Sequence, residues 1–200
     1  MRVQRWSVVL AVAAFVGCAD RNEAAEEAAE DAAVETPPAM APAAPAAPAL
    51  GDAEIAHIAV TANMLDVESG QTAKDKAQNA EVKKFAQQMI TDHTNANKEA
   101  NELAQRLNLS PAENATSQQL KTDHEQARND LAGKTGAEFD RAYIAHEITV
   151  HQNVLNALDQ TLIPGAQNAE LRAFLEKIRP VIQAHLQLAQ QIQSQLGTAQ

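Results

Sequence analysis

The residues with chemical potential in this chain are a set of acids and histidines that fall on apolar helix faces. At 100° per residue, Phe139, Tyr143, Ile144, Ile148, Val154, Leu155, Leu158 and Leu162 make one stripe, and Asp140, Glu147 and His151 sit at its centre. His93 lies inside the stripe of Val82, Phe85, Ala86, Met89, Ala96, Ala100, Leu103 and Leu107, with Asp92 at its edge. His185 is near the middle of the arc from Leu171 to Leu196, and Asp66 stands among Ile55, Ile58, Ala59, Ala62 and Ala73, while Glu68 points outward. Burying such groups costs several kcal/mol each unless they pair or bind a metal. Neutral imidazole together with carboxylate suits iron, zinc, manganese or copper. Asp66, His93, Glu147, His151 and His185 are therefore candidate ligands of one transition-metal ion, with Asp140 and Tyr143 as neighbours. The competing reading is a hydrogen-bond network of the same residues that fixes helix register without a ligand.

Height along the helices supports a meeting. At 1.5 Å per residue, Asp66 and His93 are each about 20 Å from the turn that joins their helices. Counted from the later turn, Glu147 and His151 lie about 16 to 23 Å away and His185 about 25 Å. Other signals are weaker. His146 and His151 are five apart rather than the four of a zinc-protease helix, so they diverge by about 140°, and His146 falls outside the core. His57 and His124 sit among polar neighbours and read as surface residues, and Met89 reads as core. There is no glycine-rich phosphate loop, nucleophile elbow or paired-cysteine motif, which argues against nucleotide hydrolysis, triad chemistry and thiol redox.

The elements that must position these residues are helical throughout, since no stretch after Asp52 alternates as a half-buried strand does. Helices are expected over 52–78 and 80–107, joined by a tight turn at Asn79. Ser110-Pro111-Ala112-Glu113 reads as a capping box opening a crossover helix that runs to Leu131 and stops at Gly133. Thr135-Gly136-Ala137-Glu138 reads as a second capping box, starting a helix that ends near Leu162 before Pro164-Gly165. A last helix spans 168–196, with a kink expected at Pro180. The fold class is all-α, a ferritin-like four-helix bundle with an additional short crossover helix. Phe85, Phe139, Tyr143 and Phe174 are its large rings, and no internal repeat is evident.

The bundle, residues 52–200, follows two other segments. Arg2 and Arg5 precede an apolar run from Val8 to Val16 that is too short to span a bilayer, so residues 1–17 read as a signal peptide. Phe15-Val16-Gly17-Cys18 resembles the bacterial lipobox, with Phe where Leu is usual, and Cys18 is the one cysteine in the chain. Lipidation at Cys18 would anchor the chain to a membrane, and Ala19 after it points to an outer-membrane lipoprotein facing the periplasm of a Gram-negative host. Residues 18–51 are rich in Ala, Pro and Glu, and their acidic charge and prolines make them a solvated tether. A net charge of −10 with 3% aromatic residues argues against nucleic acid as a partner.

Asn63-Met64-Leu65-Asp66-Val67-Glu68, Val82-Lys83-Lys84-Phe85-Ala86 with Met89 and Asp92-His93, Phe139-Asp140-Arg141-Ala142-Tyr143 with His151, and Pro180 with His185 resemble, in this order and spacing, the bacterial family called domain of unknown function 4142. The resemblance covers roughly residues 52 to 196 and implies a ferritin-like bundle in an exported, often outer-membrane, protein. Asp66 stands where the resemblance leads one to expect Glu. The carboxylate-bridged di-iron centre of the wider ferritin-like group needs Glu and His three apart on two helices. Here Ile90, Ile148 and Ile182 precede the histidines by three, so ferroxidase activity is not expected. The leading functional reading is a non-enzymatic envelope lipoprotein whose core holds a transition metal. The alternatives are a metal-dependent oxidase or detoxification enzyme with Tyr143 as a redox or proton-transfer neighbour, and a purely structural or partner-binding bundle.

Overall fold

The structure is a computed structural model and describes residues 50–198. The expected signal peptide, Cys18 and the tether as far as residue 49 lie outside the described residues. Among the described residues all regular structure is helical: α1 (Asp52–Lys76), α2 (Ala80–Arg106), α3 (Ala115–Ala132), α4 (Gly136–Ala157) and α5 (Ala169–Thr198). Helix α4 continues into a π-helical turn, Leu158–Leu162, and a last short turn, Ile163–Gly165. Helices α1, α2, α4 and α5 form the four-helix bundle, and α3 is the crossover that carries the chain from the end of α2 back to the start of α4.

Each helix end has a chemical reason, and two differ from expectation. Asn114, not Ser110, caps α3: its side chain accepts from Ser117 N at 3.0 Å while Ser117 Oγ accepts from Asn114 N at 3.1 Å. Ser110 to Glu113 stay non-helical, and Glu113 pairs with Lys121 instead of closing a box. Thr135 does sit at the cap of α4, but it makes no side-chain capping bond. Glu138 pairs with Lys134 at 2.9 Å. At the end of α2, Asn108 takes φ 52, and Leu109 N–H donates to Ala104 O at 2.9 Å while Asn108 N–H donates to Gln105 O at 3.1 Å. That is the Schellman closure, with Asn in place of the usual Gly. The helix expected to stop before Pro164 instead passes through it, after its bonds shift to the wider π spacing just ahead of this amide-less residue. Pro180 lies inside an unbroken α5, and it and Glu176 one turn back are both exposed.

The two turns of the bundle reveal an internal repeat that the sequence reading overlooked. Ala77-Gln78-Asn79-Ala80-Glu81 joins α1 to α2, and Ala166-Gln167-Asn168-Ala169-Glu170 leads into α5. Asn79 Oδ1 accepts from Glu81 N and Val82 N at 2.8 and 3.3 Å, and Asn168 Oδ1 accepts from Glu170 N and Leu171 N at 2.9 and 3.3 Å. Each turn is also clamped by an Asp from the other hairpin. Asp140 accepts from the backbone N–H groups of Gln78 and Asn79 at 3.1 and 2.8 Å, and Asp52 from those of Gln167 and Asn168 at 2.8 and 3.0 Å. Asp140, expected beside the metal ligands, is thus a clamp on the α1–α2 turn. Gly70 permits the close crossing of α1 and α2, since a Cβ there would stand 3.0 Å from both Ala86 O and Ile90 Cγ1.

The core is two apolar clusters with a polar layer between them. One contains Ile55, Ile58, Leu103, Leu155, Leu171, Phe174 and Ile182, and the other Val82, Phe85, Met89, Phe139, Tyr143, Ile144 and Ile192. On α1, α2 and α4, Asp66, His93, Glu147 and His151 fall between residues of the first cluster and residues of the second, and His185 lies at the same junction on α5. The apolar layers fix the heights at which these polar side chains meet.

Candidate metal centre

His93, His151 and His185 project from three helices into one point of the polar layer, each 1 to 3% exposed. Their ring centroids are 5.7 Å (His93 to His151), 5.3 Å (His93 to His185) and 5.4 Å (His151 to His185) apart. What each ring does with its outer nitrogen determines what it offers at the centre. His93 Nδ1 lies 2.9 Å from Asn63 Oδ1, and the Asn63 amide nitrogen donates to Ala59 O at 2.9 Å, so the ring is the donor to Asn63. His151 Nδ1 donates to the backbone carbonyl of Glu147, one turn earlier, at 2.9 Å. His185 is turned the other way, with Nε2 donating to Asp92 Oδ2 at 3.0 Å.

A neutral imidazole has one N–H and one lone pair. The three acceptors therefore put lone pairs on His93 Nε2, His151 Nε2 and His185 Nδ1. These three atoms are buried and have no hydrogen-bond partner. A ring nitrogen of each histidine lies within 4.8 Å of one from each of the other two. Protonation does not relieve the crowding, because burial lowers His93 and His151 from 6.5 to about 4, and burial together with the neighbouring His93 lowers His185 against the pull of Asp92. Outer hydrogen bonds that fix the tautomer and aim the free nitrogen are the usual companions of histidine metal ligands.

The two acids form a separate group. Asp66 Oδ2 is 3.6 Å from His93 Nδ1 and Glu147 Oε2 is 3.5 Å from His151 Nδ1, so both face nitrogens that carry the proton. Ligand atoms of Asp66, Glu147 and His151 lie within 4.8 Å of one another. Burial pushes Glu147 well above its ordinary value, the nearby Asp66 pushes further, and the Tyr143 hydroxyl partly offsets this. Burial also raises Asp66, opposed by His151 and His124. The structure thus brings all five expected residues to one layer, but as a three-imidazole set and a carboxyl pair rather than one shell. Tyr143 borders the carboxyls.

Two residues of the site escaped the sequence reading. Asn63 is three before Asp66 on the same face, and Asp92 faces His185 from the stripe edge. Asn63 sits one helical turn from an expected ligand, which is the signal that could have found it, whereas Asp92 meets its histidine across helices and left no such signal. His124 is also not the surface residue expected: its side chain is 13% exposed, wedged between Glu68 at 3.3 Å and Ser69 at 3.5 Å. His57 and His146 are half-buried.

The model of the family described as "Domain of unknown function (DUF4142)" matches residues 36–192. The chain belongs to that family. Among curated proteins, none matches the sequence. Two solved structures share the fold of this DUF4142 chain. One, described as a secreted DUF305 protein from Streptomyces coelicolor, has a TM-score of 0.61 at 11% identity, covering 73% of this chain and 93% of that one. The other, described as CopM in the Cu(II)-bound form, has a TM-score of 0.58 at 18% identity, covering 74% and 99%.

Proposed function

We propose that this DUF4142 domain is a non-enzymatic metal-binding protein of the bacterial envelope, taking a divalent transition metal on His93 Nε2, His151 Nε2 and His185 Nδ1. The observation that carries the reading is that three buried ring nitrogens, each a lone pair by virtue of its partner, have no hydrogen-bond donor, on three histidines that bring ring nitrogens within 4.8 Å of one another. A network serving helix register alone would be satisfied internally, whereas here each imidazole is satisfied on its outer side and open on the other, and Tyr143 Oη and Glu147 Oε2 are likewise buried without a partner. A set of imidazoles without thiolate suits Cu(II) and Zn(II) better than the oxygen-seeking Mn(II), and copper stands highest in intrinsic affinity. The fold shared with a protein solved with Cu(II) bound agrees with this choice. The ion would act here as a bound cargo or a structural bridge between the hairpins. Export, with a lipid on Cys18 and the acidic tether holding the domain off an outer membrane, completes the proposal.

The test is elemental analysis of the exported protein, purified without chelator or affinity metal. One transition-metal ion per chain, lost in His93→Ala and in His151→Ala, is the expected result. A chain with no metal, whose melting temperature does not rise with added copper, zinc, iron or manganese, would leave the polar layer as architecture, because a ligand of the native state must stabilise it.

A further inference from the structure

A site with ligands only 1 to 3% exposed needs a path for its ion, and three openings that share His146 as a wall residue lie on one side of it. A cleft of about 490 Å³ is lined by α1, α3, α4 with its π-helical turn, and α5, and has Asp66, His93 and His146 among its wall residues. A small cavity of about 50 Å³ connects Asp66 to His124 and His146. A third opening, of about 290 Å³, lies on the outer side against Glu68, Asp75, His124 and His146. His146 borders all three, and the orphaned Nε2 belongs to His93 at the far end. The cover over this path is α3, whose buried residues are Ser117 and Leu131, near its two ends. Asn114 ties its start to Glu54 O at 3.2 Å, and Lys76 ties its finish to Leu131 O and Ala132 O at 3.0 and 2.9 Å. Between these anchors Leu120 and Ala127 hang over the cleft half-buried.

We propose that a divalent transition-metal cation loads the three-histidine centre along this path under α3, with His124 and His146 as transient ligands and Asp66 as the inner step; this rests on the metal-binding reading above. The chemistry of the lining fits a cation. Glu68 and Asp75 stand at the mouth and Asp123 and Asp130 along the cleft, against Arg128, which pairs with Glu125 at 3.5 Å. Clefts lined by one sign of charge raise the arrival rate of the opposite one. Uncharged side chains make up the rest of the wall, aliphatic ones such as Ile58, Leu120 and Val150 alternating with the amides and hydroxyls of Asn63, Thr116, Gln126, Thr149 and Asn153.

A path lowers a barrier in both directions and leaves the equilibrium alone, and that separates it from a binding site. The experiment is stopped-flow loading of the purified protein with Cu(II), followed by extraction with EDTA, in wild type and in His124→Ala/His146→Ala. The expected result is loading and extraction both slowed about tenfold, with one copper per chain and an unchanged Kd. Ala127→Phe, which fills the cleft from α3 without removing a ligand, should slow both in the same way and guards against misfolding of the histidine variant. Unaltered rates in both variants would overturn the path, and a loss of stoichiometry in His124→Ala/His146→Ala would overturn it by making these residues resident ligands. Failure of wild type itself to take up copper would instead show that the metal reading on which the path rests is wrong.

Discussion

The hairpins α1–α2 and α4–α5 are built alike and equipped differently. Both turn on Ala-Gln-Asn-Ala-Glu, both cap the outgoing helix with the Asn of that sequence, and each lends an Asp to clamp the other's turn. Their contributions to the polar layer are unequal: the first hairpin provides His93 with Asn63 and Asp66, the second His151, His185 and Glu147. Fourteen residues after Asn79 stands His93, whereas fourteen after Asn168 stands Ile182 and His185 follows three later. His185 accordingly stands three residues further from its turn than His93 does from its own, and it offers Nδ1 where the other two offer Nε2. The repeat therefore accounts for the scaffold, and the departures from it account for the site. The shared turn sets the frame of each half, and His185 stands where the second half departs from the first.

The clamps give the largest effect by which this comparison can be broken. Asp140 is 2% exposed and Asp52 only partly covered. Asp140→Ala leaves two part-buried backbone N–H groups without an acceptor and empties a buried position, and should cost about 3 kcal/mol in urea denaturation. Asp52→Ala, where water can replace the carboxylate, should cost about 1 kcal/mol. Equal costs would mean that the turns are equivalent in energy as well as in sequence.

The outer hydrogen bonds sharpen the comparison next. Asn63→Leu in the first hairpin's support and Asp92→Ala beside His185 should each weaken Cu(II) binding roughly 10- to 100-fold in calorimetry, with stoichiometry retained. Unchanged affinity in both would separate ring orientation from binding.

The carboxyl pair predicts a pH signature. Glu147 is raised well above 4.5, so in the folded chain it keeps a proton that the unfolded chain has released. It therefore stabilises the fold below 4.5 and that stabilisation is lost as pH rises through its folded pKa. His93 and His151 act with the opposite sign: lowered from 6.5 to about 4, they stay neutral where the unfolded chain binds protons, so stability falls as pH drops from 6.5 to about 4. In metal-free protein, Glu147→Gln should reduce the loss on the alkaline side, leaving the part due to the raised Asp66, and retain the acid-side loss. Identical pH profiles for the variant and wild type would show that Glu147 ionises normally.

The smallest effect is expected where the hairpins meet at the surface. Arg106 of α2 and Glu170 of α5 pair at 3.0 Å while more than half exposed, and Arg106→Ala should change stability by less than about 1 kcal/mol. A larger cost would make the hairpin interface depend on charge rather than on its apolar clusters.

How much of this was legible follows from what periodicity encodes. A 3.6-residue period and a 1.5 Å rise are enough to put Asp66, His93, Glu147, His151 and His185 at one height on inward faces, and the structure has them there. Period carries no information about which of several polar residues reaches a helix end first, so Asn114 displaced Ser110 as the cap of α3. Nor does it show long-range polar contacts: Asp140 was indistinguishable from a ligand until the turn it clamps, over sixty residues away in sequence, was in place. The partition of the five residues into imidazoles and carboxyls depends on ring tautomers, which Asn63, Asp92 and a backbone carbonyl set through contacts invisible to spacing. The half-burial of His124 and His146 depends on where the crossover helix lies, and α3 buries too few of its own residues to announce its docking.

The central claim is that three specific lone pairs converge, and long-range ¹H–¹⁵N NMR of the histidine rings tests it directly. In metal-free protein at neutral pH, His93 and His151 should carry the proton on Nδ1 and His185 on Nε2. Titration with Zn(II) should then shift His93 Nε2, His151 Nε2 and His185 Nδ1 together and reach an end point at one equivalent. Opposite tautomers, or three ring nitrogens that ignore both Zn(II) and Cu(II), would contradict the account.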